Sequence, residues 1–134
     1  VHTVSNAVKA IDNSIMVSTA PLGRYKILDG LPSSEWVCMG SAQQDVLKWL
    51  SEGDCDFIAP MMYYPQQNFF PYLTDWMQLV GNTGYFVAGL GAYRMDSREG
   101  NWSLDELNEQ KTKLSQMQLL KPVFLEKLDM DLLM

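Results

Sequence analysis

Apolar positions along this chain recur in two rhythms. Val1, Val4, Val8 and Ile11 stand three and four apart, the spacing of one helix face, and Asp12-Asn13 ends that pattern. "SIMVSTAPLG" (14–23) follows as an almost unbroken apolar run that stops at Pro21 and Gly23, which predicts a buried strand. A polar, turn-rich loop runs from Arg24 to Gly40. The next helix is expected to start at Ser41, whose hydroxyl can accept from the Gln44 amide while the Gln44 side chain reaches back. Val46, Leu47, Trp49 and Leu50 give that helix an inward face, and Gly53 stands where a left-handed residue ends a helix well.

The rhythm then repeats. "DFIAPMMYY" (56–64) predicts a second strand, and Pro71 suits the first turn of a helix whose stripe is Tyr72, Leu73, Trp76, Leu79 and Val80, before Gly81. "YFVAGLGAY" (85–93) predicts a third strand, with glycines that point to close backbone packing or a bend. Ser103 and Glu106 form a second capping box, opening a helix to about Met117. "PVFLEKL" (122–128) reads as a fourth strand, while "LEKLDMDLLM" can equally be read as helix.

Strands separated by amphipathic helices have to run parallel, with right-handed crossovers. Apolar runs without alternation predict a sheet covered on both faces. The class is therefore α/β, and two architectures fit. Each unit is about one-eighth of a ~250-residue (β/α)8 barrel, so four units make half of a TIM-type barrel. The alternative is a small four-stranded open doubly wound sheet.

Composition narrows the partners. The 134 residues, 47% of them hydrophobic, are enough for one core and too few for two, so residues 1–134 form one domain or part of one. Ten Lys and Arg against sixteen Asp and Glu give a net charge of −6 with no basic cluster, which speaks against nucleic acid and anionic membranes. No apolar run approaches the ~20 residues of a membrane-spanning helix. The chain opens on Val1 with no signal-peptide pattern, which suggests a processed or excised piece. Cys38 and Cys55 fit no metal spacing and suit unpaired apolar positions, with a disulfide as the alternative. The single histidine, His2, lies near the amino terminus, so neither a Ser-His nor a Cys-His pair is expected, and no metal or other cofactor is implied.

Four motifs in order carry a resemblance. "VLKWLSEGDCDFIAPMMYY" joins a W-L-x-E-G helix end to a D-F-I-A-P strand, "YLTDWM" follows as a helix, and "GYFVAGLGAYR" as the next strand. "VSTAPLGRY" fits the preceding strand with its apolar-Pro-x-Gly turn, and "QQD" a Gln-Asp helix start. Over about residues 1–112 this resembles the carboxyl-terminal half, βα units 5–8, of the glycosyl-hydrolase-like family 10 barrels, many of them lipoproteins of bacterial envelopes. The resemblance favours the half barrel over the open sheet. It implies a glycoside hydrolase domain fragment acting on a bacterial envelope glycan or a polysaccharide, in the periplasm or at the cell surface. A peptidoglycan glycan strand is one candidate substrate. The partner completing the fold would be the remainder of the barrel or a second copy of the chain. "LSQMQLLKPVFLEKLDMDLLM" departs from the family's glycine-led, Arg-containing last strand, keeping only "VF".

In a parallel barrel the site forms where strands end. Asp54 and Asp56 precede their strand and so belong to the stability face, although they look like a catalytic pair. Arg24 with Tyr25, Tyr63 with Tyr64, and Tyr93 with Arg94 close three successive strands. An aromatic ring can cover the apolar face of a sugar while Arg or phenol oxygen bonds its hydroxyl edge, so the expected substrate-binding residues are Tyr63, Tyr93, Arg94, Arg24 and Tyr25. Strand alternation lets only one of Tyr63 and Tyr64 point into a barrel. Tyr63, at the position the family keeps aromatic, is assigned to the sugar and Tyr64 to packing against the next helix near Phe70. Glycoside hydrolysis normally needs two carboxyl groups. Those on the same side, Asp29, Glu35, Asp45, Asp96 and Glu99, suit loop or cap positions better than catalysis, so this stretch alone is expected to lack a complete pair. Trp36, Phe69 and Trp102 could extend a glycan groove or simply pack. A non-catalytic carbohydrate-binding or scaffold barrel is the second reading. A nucleotide binder is disfavoured, because "TAPLGRY" lacks the glycines that let a backbone approach phosphate.

Overall fold

The computed structural model of the chain describes residues 1–31 and 36–118. Helix α1 (His2–Ile11) leads into strand β1 (Ser18–Thr19), followed by α2 (Val46–Ser51), β2 (Phe57–Ile58), α3 (Gln66–Val80), β3 (Tyr85–Phe86), a 3-10 turn at Ala92–Met95, and α4 (Leu104–Gln118). Among the described residues the sheet has three strands in the order β1-β2-β3, all parallel, and helices alternate with them. The expected strand at 122–128 lies outside the described residues. No described helix is long and apolar enough to cross a membrane.

The strands are short because prolines interrupt them. Pro21 and Pro60 have no N–H to donate, yet pairing resumes beyond them as the bridges Leu22↔Met61 and Met61↔Gly89, in the register set by Ser18↔Phe57 and Phe57↔Tyr85. The bond from Met61 N–H to the Pro21 carbonyl, at 2.9 Å, carries the chain across the gap.

One face of this sheet is covered. Ile58 and Met62 of the second strand segment, with Phe86 and Ala88 of the third, pack against Val46 and Leu50 of α2 and against Phe69, Tyr72, Leu73, Trp76 and Val80 of α3; Leu114 of α4 completes the cluster. The opposite row, Phe57, Ala59, Met61 and Tyr63, is half-buried, and Tyr85 is 46% exposed. Both rows are apolar, as the unbroken runs predict, and among the described residues the second is less deeply buried than the first. The apolar stripe of α1 is similarly open: the helix forms where its spacing predicts, yet Ile11 is 85% exposed.

Helix ends divide into local and non-local cases. Gly53 follows α2 at φ +73°, as its position predicts. Ser103 Oγ accepts from the Glu106 amide at 3.2 Å, but the Glu106 carboxylate turns away to accept from the Gln66 amide at 2.7 Å. It therefore caps α3 from 40 residues along the chain. That cap lets α3 start at Gln66, which leaves Pro71 inside the helix and not in its first turn. The capping box expected at Ser41 does not form either. Ser41 closes a turn with Val37, Gln44 Oε1 accepts from the Leu22 amide at 3.0 Å, and α2 begins after Asp45, which accepts from the Lys48 amide. A strand-end amide without a strand partner takes Gln44 away from its own helix.

Candidate functional site

The three strands deliver their following residues to one end of the sheet. There β1 continues into Leu22, Gly23 and Arg24, and only glycine fits the middle position. A Cβ at Gly23 would lie 2.4 Å from the Met61 carbonyl oxygen and 2.8 Å from the Tyr64 ring. The Gly23 carbonyl accepts from the Trp76 indole N–H at 2.9 Å, tying this turn to α3. Close approach sets the Arg24 guanidinium over the Tyr64 ring, 4.6 Å from its centroid, with the Tyr72 ring at 5.2 Å. The Arg24 carbonyl takes the Cys38 amide at 2.9 Å, which folds the segment beginning at Trp36 back over the strand end.

The second strand ends in Tyr63, Tyr64 and Pro65. Tyr63 stands edge-on to Tyr93, with ring centroids 5.4 Å apart. Tyr64 packs against Tyr72 of α3 at 5.9 Å. Burial pushes the Tyr64 phenol above its ordinary range, and the adjacent Arg24 charge opposes that rise. After β3, the 3-10 turn presents Arg94, whose carbonyl accepts from the Trp102 amide at 2.9 Å. Arg94 Nη1 donates to the Glu99 carbonyl at 2.9 Å.

Between these elements lies an open cavity of about 460 Å3, lined by Leu22, Arg24, Trp36, Tyr63, Tyr64, Pro65, Arg94 and Trp102. Arg24, Tyr63 and Arg94, three of the five residues expected at a binding site, are brought together here. The other two lie elsewhere. Tyr25 packs edge-on against Trp76 at 5.6 Å. Tyr93, 48% exposed, supports Tyr63 from outside the lining. Of the three loop aromatics, Trp36 and Trp102 reach the cavity, while Phe69 is fully buried in the core. Tyr64 both packs on α3, against Tyr72, and lines the cavity. Alternation separates neighbouring side chains only while a strand stays extended, and Pro65 marks where this one turns.

Two guanidinium Nε atoms in the lining, those of Arg24 and Arg94, are buried without a hydrogen-bond partner. Among the described residues no Asp or Glu lines the cavity. Asp29 and Glu99 are exposed, Asp45 caps α2, and Asp96 is held by Arg98 at 3.1 Å, which lowers its carboxyl from the usual range. Glu35 lies outside the described residues. The Cys38 thiol donates to the Leu22 carbonyl at 3.2 Å, and burial pushes its pKa up to about 12, so it is no nucleophile at neutral pH. Cys38 and Cys55 are both free and buried. Among the described residues no three His, Cys, Asp or Glu side chains cluster as a metal site.

At the opposite end of the sheet the acids are engaged. Asp54, 6% exposed, bonds His2 Nδ1 at 2.5 Å, and Asp56 bonds Lys9 at 2.8 Å and the Val17 amide at 2.7 Å. These contacts fasten α1 beneath the strands. The Asp54–Asp56 pair is structural, as its place before the strand implies.

Comparison with protein-family models, with curated proteins and with solved structures returns no match to this chain.

Proposed function

We propose that this cavity binds a saccharide, and that the chain is the carboxyl-terminal half of a (β/α)8 barrel in a glycoside hydrolase acting on an envelope glycan or polysaccharide outside the cytoplasm. The observation that carries the reading is the cavity's place and lining: it opens where three parallel strands end, and its walls are Trp36, Tyr63, Tyr64 and Trp102 with guanidiniums between them. Aromatic faces accept the apolar face of a pyranose, and the polar tips bond its edge. The consecutive parallel order β1-β2-β3 is that of neighbouring barrel strands, and each half of a doubly wound sheet shares it. The half-covered row from Phe57 to Tyr63 and the open stripe of α1 are the surfaces that further strands and helices, or a second copy, would cover.

Calorimetric titration with a panel of oligosaccharides tests the binding. Tyr63→Ala should weaken a saccharide by about 1–3 kcal/mol, the worth of one stacked aromatic, and leave the melting temperature nearly unchanged. Affinity unaltered by that substitution for every bound saccharide would rule the cavity out. Light scattering tests the half barrel. A monomer with one sharp melt counts against it, because exposed strand edges and apolar surface promote association.

A second reading, a carbohydrate-binding barrel without catalysis, is favoured by the lack of a carboxylate in the cavity lining among the described residues. Release of reducing ends by the intact protein decides between the two.

A further inference from the structure

We propose that the saccharide taken by this cavity is acidic, a pyranose bearing a carboxylate that is received by Arg24 and Arg94. This rests on the saccharide reading and adds the charge of the ligand to it. Arg24 is 7% exposed, and its guanidinium makes no ion pair and donates no hydrogen bond among the described residues. Among the described residues its charge meets the π faces of Tyr64 and Tyr72. A guanidinium taken out of water without an acid partner is costly, and the rings return only part of that cost. Arg94 repeats the pattern: one terminal nitrogen is used by the Glu99 carbonyl, while Nε is buried and unpartnered.

Among the described residues no acid lines this cavity. Elsewhere buried or half-buried acids find bases, as Asp54 finds His2 and Asp56 finds Lys9. Two cations therefore stand facing a space large enough for a sugar ring, with no counter-charge among the described residues. A planar carboxylate matches the planar fork of an arginine, which gives two parallel N–H···O bonds. Aromatic walls select a ring-shaped bearer of that carboxylate over a bare anion such as sulfate.

Titration of the full chain with trimers of hexuronic acid, in the gluco, galacto and manno series, tests the proposal. The fully methyl-esterified trimers serve as neutral controls with the same rings. One acid trimer should bind about tenfold or more tightly than its ester, as charge-assisted bonds add to the ring contacts, and the preference should shrink as salt rises. Arg94→Gln, at a partly exposed position outside the core, should reduce that preference severalfold, because it costs the acid trimer more affinity than the ester. Arg24→Gln should do the same if its melting curve shows it folded. Equal affinity for acid and ester in each series overturns the acidic ligand and leaves the saccharide site standing. Binding of inorganic sulfate with no binding of either trimer overturns both.

Discussion

The two ends of the parallel sheet treat charge in opposite ways. At the end where strands begin, His2, Lys9, Asp54 and Asp56 pair across the junction of α1 with the strands, and the Val17 amide donates to the same Asp56 oxygen that Lys9 meets. At the end where strands finish, Arg24 and Arg94 keep buried nitrogens unpartnered, against aromatic rings and an open cavity. Both ends hold charged groups at partly or fully buried positions. The difference lies in whether the fold itself satisfies them. A satisfied charge is fastening, and an unsatisfied one beside a cavity is where the proposed ligand would bind.

The sharpest way to break this contrast is to fill the turn that builds the cavity end. Gly23→Ala drives a Cβ into the Met61 carbonyl and the Tyr64 ring, and should cost about 3 kcal/mol of stability and displace Arg24. Urea denaturation followed by saccharide titration reads both effects. A midpoint shift below a third of that size would mean that the strands separate easily there.

At the fastening end, Asp56→Ala removes the Lys9 pair and the bond from the Val17 amide. The expected loss is about 1.5 kcal/mol once the partial exposure of the pair is discounted, with ligand affinity unchanged. Altered affinity would show that the two ends are coupled. Ser103→Ala should cost about 1 kcal/mol by removing the partner of the Glu106 amide. It also checks whether α4, through Glu106, holds the start of α3: protection of the Gln66 amide against hydrogen exchange should fall with it.

Arg24→Met sharpens the contrast from the other side. Replacing an unpaired buried cation by an apolar chain of similar length should change stability by less than about 1 kcal/mol, while lowering affinity for acidic saccharide. A large destabilisation would make Arg24 a structural residue.

The smallest effect is in pH. The Lys9 ammonium and then the Val17 amide hold the Asp56 carboxyl below its ordinary range, against a small opposing effect of burial. A carboxyl lowered on folding contributes stability above its unfolded value, near 4, and loses it as pH falls through the folded value. Asp56→Asn should therefore narrow the gap to the wild-type melting temperature below about pH 4. A constant gap from neutral to acid pH would show that Asp56 does not titrate with folding.

The sequence by itself determined what depends on neighbours a few residues away. The helical spacing of Val1, Val4, Val8 and Ile11 gives α1, Gly53 terminates α2 at positive φ, and Ser103 opens α4. The alternation of helix with strand fixes the parallel direction, because a helical crossover returns the chain to the same edge. The place of Asp54 and Asp56 before a strand, and of Arg24, Tyr63 and Arg94 after one, followed from the same alternation.

Only the tertiary structure decided which hydrogen-bonding group won where two competed. Gln44 was claimed by Leu22, 22 residues before it, and Gln66 by Glu106, 40 residues after it, so neither helix starts where its local signal stands. Tyr25 against Arg24, and Tyr93 against Arg94, illustrate the same limit. Adjacent residues on one turn differ in which of them meets Trp76 or solvent and which meets the cavity. Capping boxes and apolar spacings are short-range and survive in the chain order. Burial and charge pairing depend on what the folded chain brings alongside, and a one-dimensional pattern carries the demand for a partner without the partner's identity.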